Sequence, residues 1–400
     1  MLEGWKKYKL DDIAEVLNSK RVPVNSRERL KVKGTIPYYG ASGIVDFVNG
    51  FIFDGEHVLI SEDGENLRSR KTPIAFKANG KFWVNNHAHI LKGKQDFLND
   101  WIVYYIANLD INPYLTGAVQ PKLNKQSLLS IPIIMPAYKE VELIASVLSA
   151  LDDKIELNLQ MNKTLEDMAM ALYKHWFVDF GPFQNGEFVD SELGRIPEGW
   201  KVKRLEEILE IRRGGSPRPI QEFLSDQGYS WMKISDATAS NSPFLYSTKE
   251  YIKEEGLRKT VLIKPGSIIL SNSATPGLPR LIEFETCIHD GWLHFPKINR
   301  YNRYILYLLF LDIKEHLIQQ GNGSVFTNLK TDILKAQLIN LPPVEIEDSF
   351  TNQITPWFEQ IRANTKENRT LTTLRDTLLP KLISGEVRVK DIEQTIAQVL

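Results

Sequence analysis

Residues 138–178 carry apolar positions at alternating spacings of four and three, which predicts one long helix that packs against a partner helix as a coiled coil. The predicted seam consists of Ile144, Leu148, Leu151, Ile155, Asn158, Asn162 and Leu165. A seam asparagine costs stability but fixes register, because out of register its amide would be buried without a partner. The alternative is an ordinary amphipathic helix that exposes both asparagines.

The same spacing returns 206 residues later and predicts a second long helix over residues 344–385. Its seam consists of Phe350, Ile354, Trp357, Ile361, Asn364, Asn368 and Leu371. Asn364 and Asn368 stand where Asn158 and Asn162 stand in the first helix. This coincidence favours a place in the seam over an exposed face.

The repeat extends beyond the two helices. The segment Gly4–Ile13 returns as Gly199–Ile208, at an offset of 195 residues rather than 206. The second copy therefore holds an insertion, equal in length to the difference between the two offsets, opposite the region between residues 15 and 117 of the first copy. A chain of two similar halves suggests a protein that reads something with two related halves.

Residues 15–135 and 210–341 combine short apolar runs with turn residues, which is typical of strands. Val58–Ile60 and Ser267–Leu270 are such runs, and each segment also has one helix-like stretch, at 97–109 and 301–319. The predicted fold class is α+β: two similar, mixed, strand-rich globular domains joined by two long coiled-coil helices in a pseudo-twofold internal repeat.

The predicted domain boundaries follow from this division. The globular domains occupy residues 1–137 and 199–343, and the helical spacers occupy 138–180 and 344–385. Glycine and proline crowd residues 181–198, which predicts a linker, and residues 386–400 form a tail.

Composition narrows the setting of the protein. A hydrophobic content of 42% supports folded cores. The single cysteine, Cys287, excludes a disulfide framework within the chain and fits a cytoplasmic location. The first residues lack the pattern of a signal peptide, and no apolar run is long enough to span a membrane.

The net charge of −1 hides an uneven distribution. Residues 1–137 carry 18 basic and 14 acidic side chains, and residues 196–343 carry 19 and 16. Residues 138–195, which include the first long helix, carry 5 basic and 11 acidic side chains. The small positive excess lies in the globular domains, where local clusters of cations suit phosphate contacts.

Signatures of catalysis are missing from the sequence. It contains no Gly-x-Gly-x-x-Gly cofactor fingerprint, no Gly-x-x-x-x-Gly-Lys phosphate loop, no Asn/Asp-Pro-Pro-aromatic tetrapeptide of amino-methyltransferases and no Glu-x-Lys of common nucleases. His87 and His89 could be read as a metal pair, but we interpret them as structural residues. Cys287, near His289, is interpreted as a packing residue. We therefore expect no cofactor, no metal and no catalytic residue.

Polar loop clusters occupy matching places in the two globular segments and suit DNA. Arginine pairs with guanine, asparagine and glutamine pair with adenine, and lysine and backbone amides hold phosphates. The candidates in the first segment are Tyr39, Ser42, Arg68, Arg70, Lys71, Asn86, Gln120 and Lys122. Those in the second are Arg212, Arg213, Ser216, Arg218, Asn272, Ser273, Asn322 and Ser324. The alternative is that these clusters are solvated surface turns.

Three stretches, Leu172–Phe180, Ser191–Trp200 and Leu378–Val387, add a specific signal. Together with the repeat, they make the chain resemble the specificity subunit of Type I restriction–modification systems over essentially its whole length. The resemblance implies two target recognition domains, each reading one half of a split site in double-stranded DNA. It also implies that the long helices pack antiparallel as a spacer.

The same resemblance implies that methyltransferase subunits dock on the helices, that a motor–nuclease subunit joins through the complex, and that this subunit is not itself catalytic. The base-reading residues of the family vary with the target, so the candidates above depend on residue chemistry alone. A helix over 139–177 would be about 58 Å long, which suits half-sites roughly one to one and a half DNA turns apart. A DNA-modifying enzyme and a protein-binding scaffold are the competing hypotheses.

Overall fold

The computed structural model describes residues 4–117, 119–320 and 328–389. The chain forms two compact units, one of residues 1–155 with 370–400 and the other of residues 156–369. The boundary between them cuts both long helices, so each unit holds one globular domain and part of each helix.

The first unit is built from short strands and one substantial helix outside the spacer. Its strands are β1 (Lys6–Tyr8), β2 (Ala14–Val16), β3 (Lys33–Gly40), β4 (Gly43–Val48), β5 (His57–Ser61), β6 (Ala75–Ala78), β7 (Trp83–Val84), β8 (Ala88–Gly93) and β9 (Ile133–Met135). Its helices are α1 (Leu10–Ile13), α2 (Ser26–Lys31), α3 (Asn66–Ser69), α4 (Phe97–Asn108), α5 (Lys125–Ser130) and the long α6 (Tyr138–Phe177), which continues into the second unit.

Strand β5 lies inside an antiparallel sheet of order β2-β8-β5-β6. Every residue of this strand is buried, as expected of a strand that is covered on both faces. Val58 and Ile60 belong to the core that includes Trp101 of α4, whereas Leu59 faces a second cluster with Phe82. The strand β3 pairs with β4 and β7 in a separate sheet.

The second unit repeats this plan with additional strands. They are β10 (Phe188–Ser191), β11 (Gly194–Pro197), β12 (Lys201–Arg204), β13 (Leu209–Arg213), β14 (Leu224–Ser225), β15 (Tyr229–Met232), β16 (Phe244–Leu245), β17 (Glu250–Ile252), β18 (Val261–Ile263), β19 (Ile268–Ser271), β20 (Pro279–Ile282), β21 (Thr286–Ile288), β22 (Trp292–Ile298) and β23 (Leu338–Leu341). The helices are α7 (Leu205–Ile208), α8 (Ile234–Thr238), α9 (Glu254–Leu257), α10 (Arg303–Asp312), α11 (Lys314–Gln320), α12 (Thr331–Ala336) and the long α13 (Val344–Ser384).

The strand order demonstrates the repeat directly. The sheet β13-β22-β19-β20-β16 reproduces β2-β8-β5-β6 and adds one strand at its edge. The antiparallel pair β12 and β23 reproduces β1 and β9, and the parallel pair β15 and β21 reproduces β3 and β7. The two globular domains therefore share one fold.

These strand pairings locate the insertion. The interval from Tyr39 to Ser61 corresponds to that from Met232 to Ser271, which is much longer and carries β16, β17 and β18. The next interval, which ends at Ala88 in the first copy and at Trp292 in the second, is slightly shorter in the second copy. The additional residues of the second copy therefore lie between β15 and β19. A small deletion in the following stretch reduces the net difference in length between the two copies.

Two features differ from the sequence-based expectations. The stretch 301–319, predicted as one helix, forms two helices. The first, α10, ends at Asp312, and the second, α11, begins at Lys314. The stretch 181–198, predicted as a linker, contains the hairpin of β10 and β11. Phe180, Ile196 and Trp200 from this region are buried in the core of the second unit, which a glycine and proline count does not reveal.

Candidate nucleic-acid interface

In the first domain, the loops that carry the polar candidates meet at the carboxyl end of strand β5. The Glu62 backbone N–H donates to the His87 carbonyl at 2.8 Å, and the Leu123 N–H donates to the Glu62 carbonyl at 2.8 Å. These two bonds bring Asn86, on one side, and Lys122, on the other, beside the end of the strand. The Ser61 hydroxyl donates to the Ala41 carbonyl and adds the turn that contains Ser42.

A charged network underlies this edge. Arg21 Nη1 lies 2.7 Å from a Glu62 carboxylate oxygen, and Lys122 Nζ lies 3.5 Å from the other oxygen. His89, beneath them, has no exposed surface. Its Nε2–H donates to the Leu123 carbonyl at 2.7 Å, and its Nδ1 accepts from Asn18 Nδ2 at 2.7 Å. Burial lowers the pKa of His89, and the hydrogen bond that Nδ1 accepts from Asn18 requires the neutral ring.

The candidates of the first domain divide by exposure. Ser42, Arg68, Lys71, Asn86, Gln120 and Lys122 are exposed. Tyr39 is half-buried against Phe76 and Phe82, and burial raises its pKa. Arg70 donates to the carbonyls of Ala107, at 2.8 Å, and Leu109 at the end of α4. These contacts favour a structural role for Tyr39 and Arg70, and the exposed residues remain the candidates for DNA.

In the second domain, the equivalent edge is organised by Asp290, a residue that we did not select from the sequence. The Asn272 N–H donates to the Gly291 carbonyl at 2.9 Å, and the Leu329 N–H donates to the Asn272 carbonyl at 2.7 Å. These two bonds correspond to those that Glu62 forms in the first domain. Asn86 and Asp290 therefore occupy corresponding positions. The signal that marks this turn in the sequence is the dipeptide Asp290-Gly291.

Four candidates converge on Asp290. Its carboxylate accepts from the Ser216 hydroxyl at 2.7 Å and from Arg218 Nη2 at 3.0 Å. Its backbone carbonyl accepts from Arg213 Nη2 at 2.8 Å and Asn272 Nδ2 at 3.3 Å. The hydrogen bond from Ser216, and then that from Arg218, hold the pKa of Asp290 below its usual range.

The loop that carries Ser216 and Arg218 is fixed by two glycines. The N–H of Gly214 donates to the Trp292 carbonyl at 2.8 Å, and that of Gly215 donates to the Ile288 carbonyl at 3.2 Å. A Cβ at Gly214 would lie 2.2 Å from the His289 carbonyl oxygen, and one at Gly215 would lie 2.7 Å from that of Lys259. Glycine is therefore required for the close approach of the backbone, rather than for flexibility.

A cavity of about 780 Å³ opens beside this loop. Residues 216–221, the start of α8 and the turn at Ser273 and Ala274 line it, with Trp231 and His289 in its walls. Arg218 is highly exposed at the cavity, with 77% of its side chain accessible. Burial lowers the pKa of His289, so its ring is neutral at pH 7.

The other candidates of the second domain are less uniform. Arg212 is exposed and ion-paired with Glu210, whereas Arg213 is exposed above the Asp290 carbonyl. Ser273 is half-buried in the cavity wall, and Asn272 is buried. Asn322 and Ser324 lie outside the residues that the structure describes.

A family model described as the Type I restriction modification DNA specificity domain matches residues 2–167 and 197–373. The chain belongs to this family. The MjaIX specificity subunit of Methanocaldococcus jannaschii is 26% identical, over 98% of this chain and 95% of that protein. The putative type I specificity subunit S.HindORF215P of Haemophilus influenzae is 31% identical, over 89% and 91%. A solved S subunit from M. genitalium has a TM-score of 0.58 at 16% identity, over 94% and 96%, and so shares the fold.

Within the second unit, the long helices α6 and α13 run antiparallel, as the hydrogen bonds between their side chains demonstrate. In the second unit, Asn158 Nδ2 donates to Asn368 Oδ1 at 2.8 Å, and Asn364 Nδ2 donates to Asn162 Oδ1 at 2.9 Å. All four asparagines are buried. In the repeat, Asn364 corresponds to Asn158, and Asn368 corresponds to Asn162. Each hydrogen bond therefore joins the first asparagine of one helix to the second asparagine of the other, as expected across a local twofold axis.

The remaining predicted seam positions are buried or half-buried. Ile144, Leu148, Phe350, Ile354 and Ile361 are buried, and Leu151, Ile155, Leu165, Trp357 and Leu371 are half-buried. Sequence periodicity did not select Phe358, which is fully buried because it stacks on Tyr304 of α10 at 4.5 Å between ring centroids. Phe358 therefore joins its helix to the globular domain.

Metal and thiol chemistry have little support among the described residues. No group of His, Cys, Asp and Glu in this part of the chain has an arrangement suited to a metal ion. Cys287 is buried on β21, and burial raises its pKa to about 11. No helix within the described residues is long and apolar enough to cross a membrane.

Proposed function

We propose that this chain reads a split site in double-stranded DNA, with each globular domain binding one half through the edge described above. The observation that supports it most directly is the repetition of one fold with different side chains at the same edge. The first domain presents Asn86 and Lys122, whereas the second presents Asp290 and Arg218. Two similar domains with unlike reading edges suit a site whose halves differ in sequence.

The proposed DNA-contacting residues are the exposed candidates of each edge, together with the half-buried Ser216 and Ser273 of the second. They are Ser42, Arg68, Lys71, Asn86, Gln120 and Lys122 in the first domain, and Arg212, Arg213, Ser216, Arg218 and Ser273 in the second. The proposed domain boundaries are those predicted from the sequence. The first target recognition domain then ends at residue 137 and the second at residue 343, immediately before α6 and α13.

We further propose that the chain is a non-catalytic scaffold. Methyltransferase subunits would dock on the long helices, and a motor–nuclease subunit would join through the complex. The excess of acidic over basic side chains in residues 138–195 supports this division of labour, because an acidic helix is repelled by DNA phosphates and leaves DNA binding to the domains.

The test is reconstitution with the methyltransferase subunits of the same system. The complex should methylate one split site, identified by mapping methylated bases in the source genome, and binding to a duplex with this site should weaken steeply as salt increases. The chain alone, given DNA and labelled S-adenosylmethionine, should transfer no label. Transfer by the chain alone would instead identify a DNA-modifying enzyme, and salt-insensitive or absent DNA binding would favour a protein-binding scaffold.

A further inference from the structure

Arg218 combines a fixed position with a largely unused guanidinium group. Of its N–H groups, only those of Nη2 have a partner within the described residues, the Asp290 carboxylate at 3.0 Å. A guanidinium has five N–H donors, so the single contact leaves enough donors for a bidentate hydrogen bond to a ligand.

Asp290 holds the loop as well as the arginine. Its second carboxylate oxygen accepts from Ser216, two residues before Arg218, and the backbone of Gly214 and Gly215 is bonded to the neighbouring strands. The position of Arg218 is thus determined at the side chain and in the backbone before any ligand binds. Pre-organisation of this kind reduces the entropy that a long side chain loses on binding.

We infer that Arg218, positioned by Asp290 at the mouth of the cavity, forms a subsite for the major-groove edge of a guanine. This inference rests on the proposed function, since it assigns one base contact within the half-site of the second domain. Arginine donates to O6 and N7 of guanine in the commonest specific contact between proteins and DNA. Lys233, also at the cavity, is paired with Glu250 and is less available for this contact.

Asp290 has a distinct role as a positioning and discriminating residue. Its carboxylate is 43% exposed beside Arg218, so it repels phosphates that approach this arginine on DNA of any sequence. When Arg218 donates to guanine, the arginine keeps its ion pair and the carboxylate need not approach a phosphate. Asp290 therefore favours base contact over phosphate contact by the same guanidinium.

The experiment uses the full chain in complex with its methyltransferase subunits and a duplex carrying the mapped site. Each guanine in the half-site of the second domain is replaced in turn by 7-deazaguanine, which lacks the N7 acceptor. For the wild type, one replacement should weaken binding about 5- to 150-fold. For Arg218→Ala, binding to the natural site should weaken by a similar factor, and the same replacement should then have no further effect.

Asp290→Asn tests the positioning role, because it keeps a hydrogen-bonding side chain and removes the charge. The affinity for the specific site should fall, whereas the affinity for scrambled DNA should stay or rise. Arg195→Ala serves as the control, since Arg195 is exposed in the same unit but lies on the β10–β11 hairpin.

The results that would contradict the guanine subsite differ from those that would contradict the proposed function. If the wild-type complex does not distinguish the specific from the scrambled duplex, the proposed function is wrong. If it does, but Arg218→Ala weakens binding equally on all sequences or keeps its sensitivity to every 7-deazaguanine, the guanine subsite is wrong. Loss of affinity on scrambled DNA by Asp290→Asn would contradict the discriminating role.

Discussion

His89 couples the first recognition domain to pH, because its buried ring is neutral and bonded at both nitrogens. Its folded-state pKa lies below the ordinary value of 6.5, so the unfolded chain binds a proton that the folded chain does not. The free energy of unfolding should therefore decrease as the pH falls below 6.5. His89→Gln, which can donate and accept without titrating, should reduce this decrease in urea unfolding curves.

The comparison at pH 8 is the control for this prediction. There the imidazole is neutral in both states, so any difference between the variant and the wild type reports packing rather than protonation. A variant that loses stability between pH 8 and pH 5.5 as steeply as the wild type would exclude His89 as the group responsible.

At the same scale, the candidate DNA residues were only partly predictable. Residue chemistry selected Arg218 and Lys122, because cations in turns are recognisable in a sequence. It could not distinguish Arg70, which binds the carbonyls at the end of α4, from an exposed arginine. It also missed Asp290, because an acidic residue is not a typical candidate for contact with a polyanion and its partner Arg218 is 72 residues away.

Among the elements, the long helices were the most predictable, because a helical period is written in local sequence. The observed α6, Tyr138–Phe177, ends one residue before the predicted end. The division of the stretch 301–319 into α10 and α11 was not predictable, since apolar residues continue across the break at Ile313. Strand partners were equally inaccessible, because pairing joins residues distant in sequence.

The asparagine layer makes a measurable contribution to the helix pair. Asn158→Ala and Asn368→Ala should each destabilise the chain by about 1–3 kcal/mol, because each removes a buried hydrogen bond across the helices. The double variant should cost less than the sum of the single variants, with a coupling energy of about 0.5–3 kcal/mol in urea unfolding.

Gln160→Ala offers a matched control, since Gln160 is an exposed amide on the same helix that bonds to Glu156 one turn away. It should change the free energy of unfolding by about 0.5 kcal/mol or less. Strictly additive losses at Asn158 and Asn368 would indicate that the two amides do not depend on each other.

At the scale of the whole molecule, the two recognition domains should be exchangeable. Replacing residues 1–137 with the corresponding segment of a relative of different specificity should change one half of the methylated site and preserve the other. The reason is that each unit has its own core and its own edge of polar loops. Mapping methylated bases for the chimera and for the parent complexes is the measurement.

The reciprocal exchange of residues 199–343 is the natural companion and should alter the other half. A chimera in which both halves change together would contradict independent reading. The sequence alone anticipates this modularity from the repeat, whereas the assignment of halves to domains requires the experiment.

The pairing of Asn158 with Asn368, and of Asn162 with Asn364, has an evolutionary consequence. Because these positions are equivalent in the two copies, the asparagine layer of each long helix is complementary to that of a second copy of the same helix. A single ancestral half could therefore have assembled as a homodimer before gene duplication and fusion joined two halves in one chain. Once fused, the halves were released from identity, and an inverted-repeat target could give way to one with two different halves.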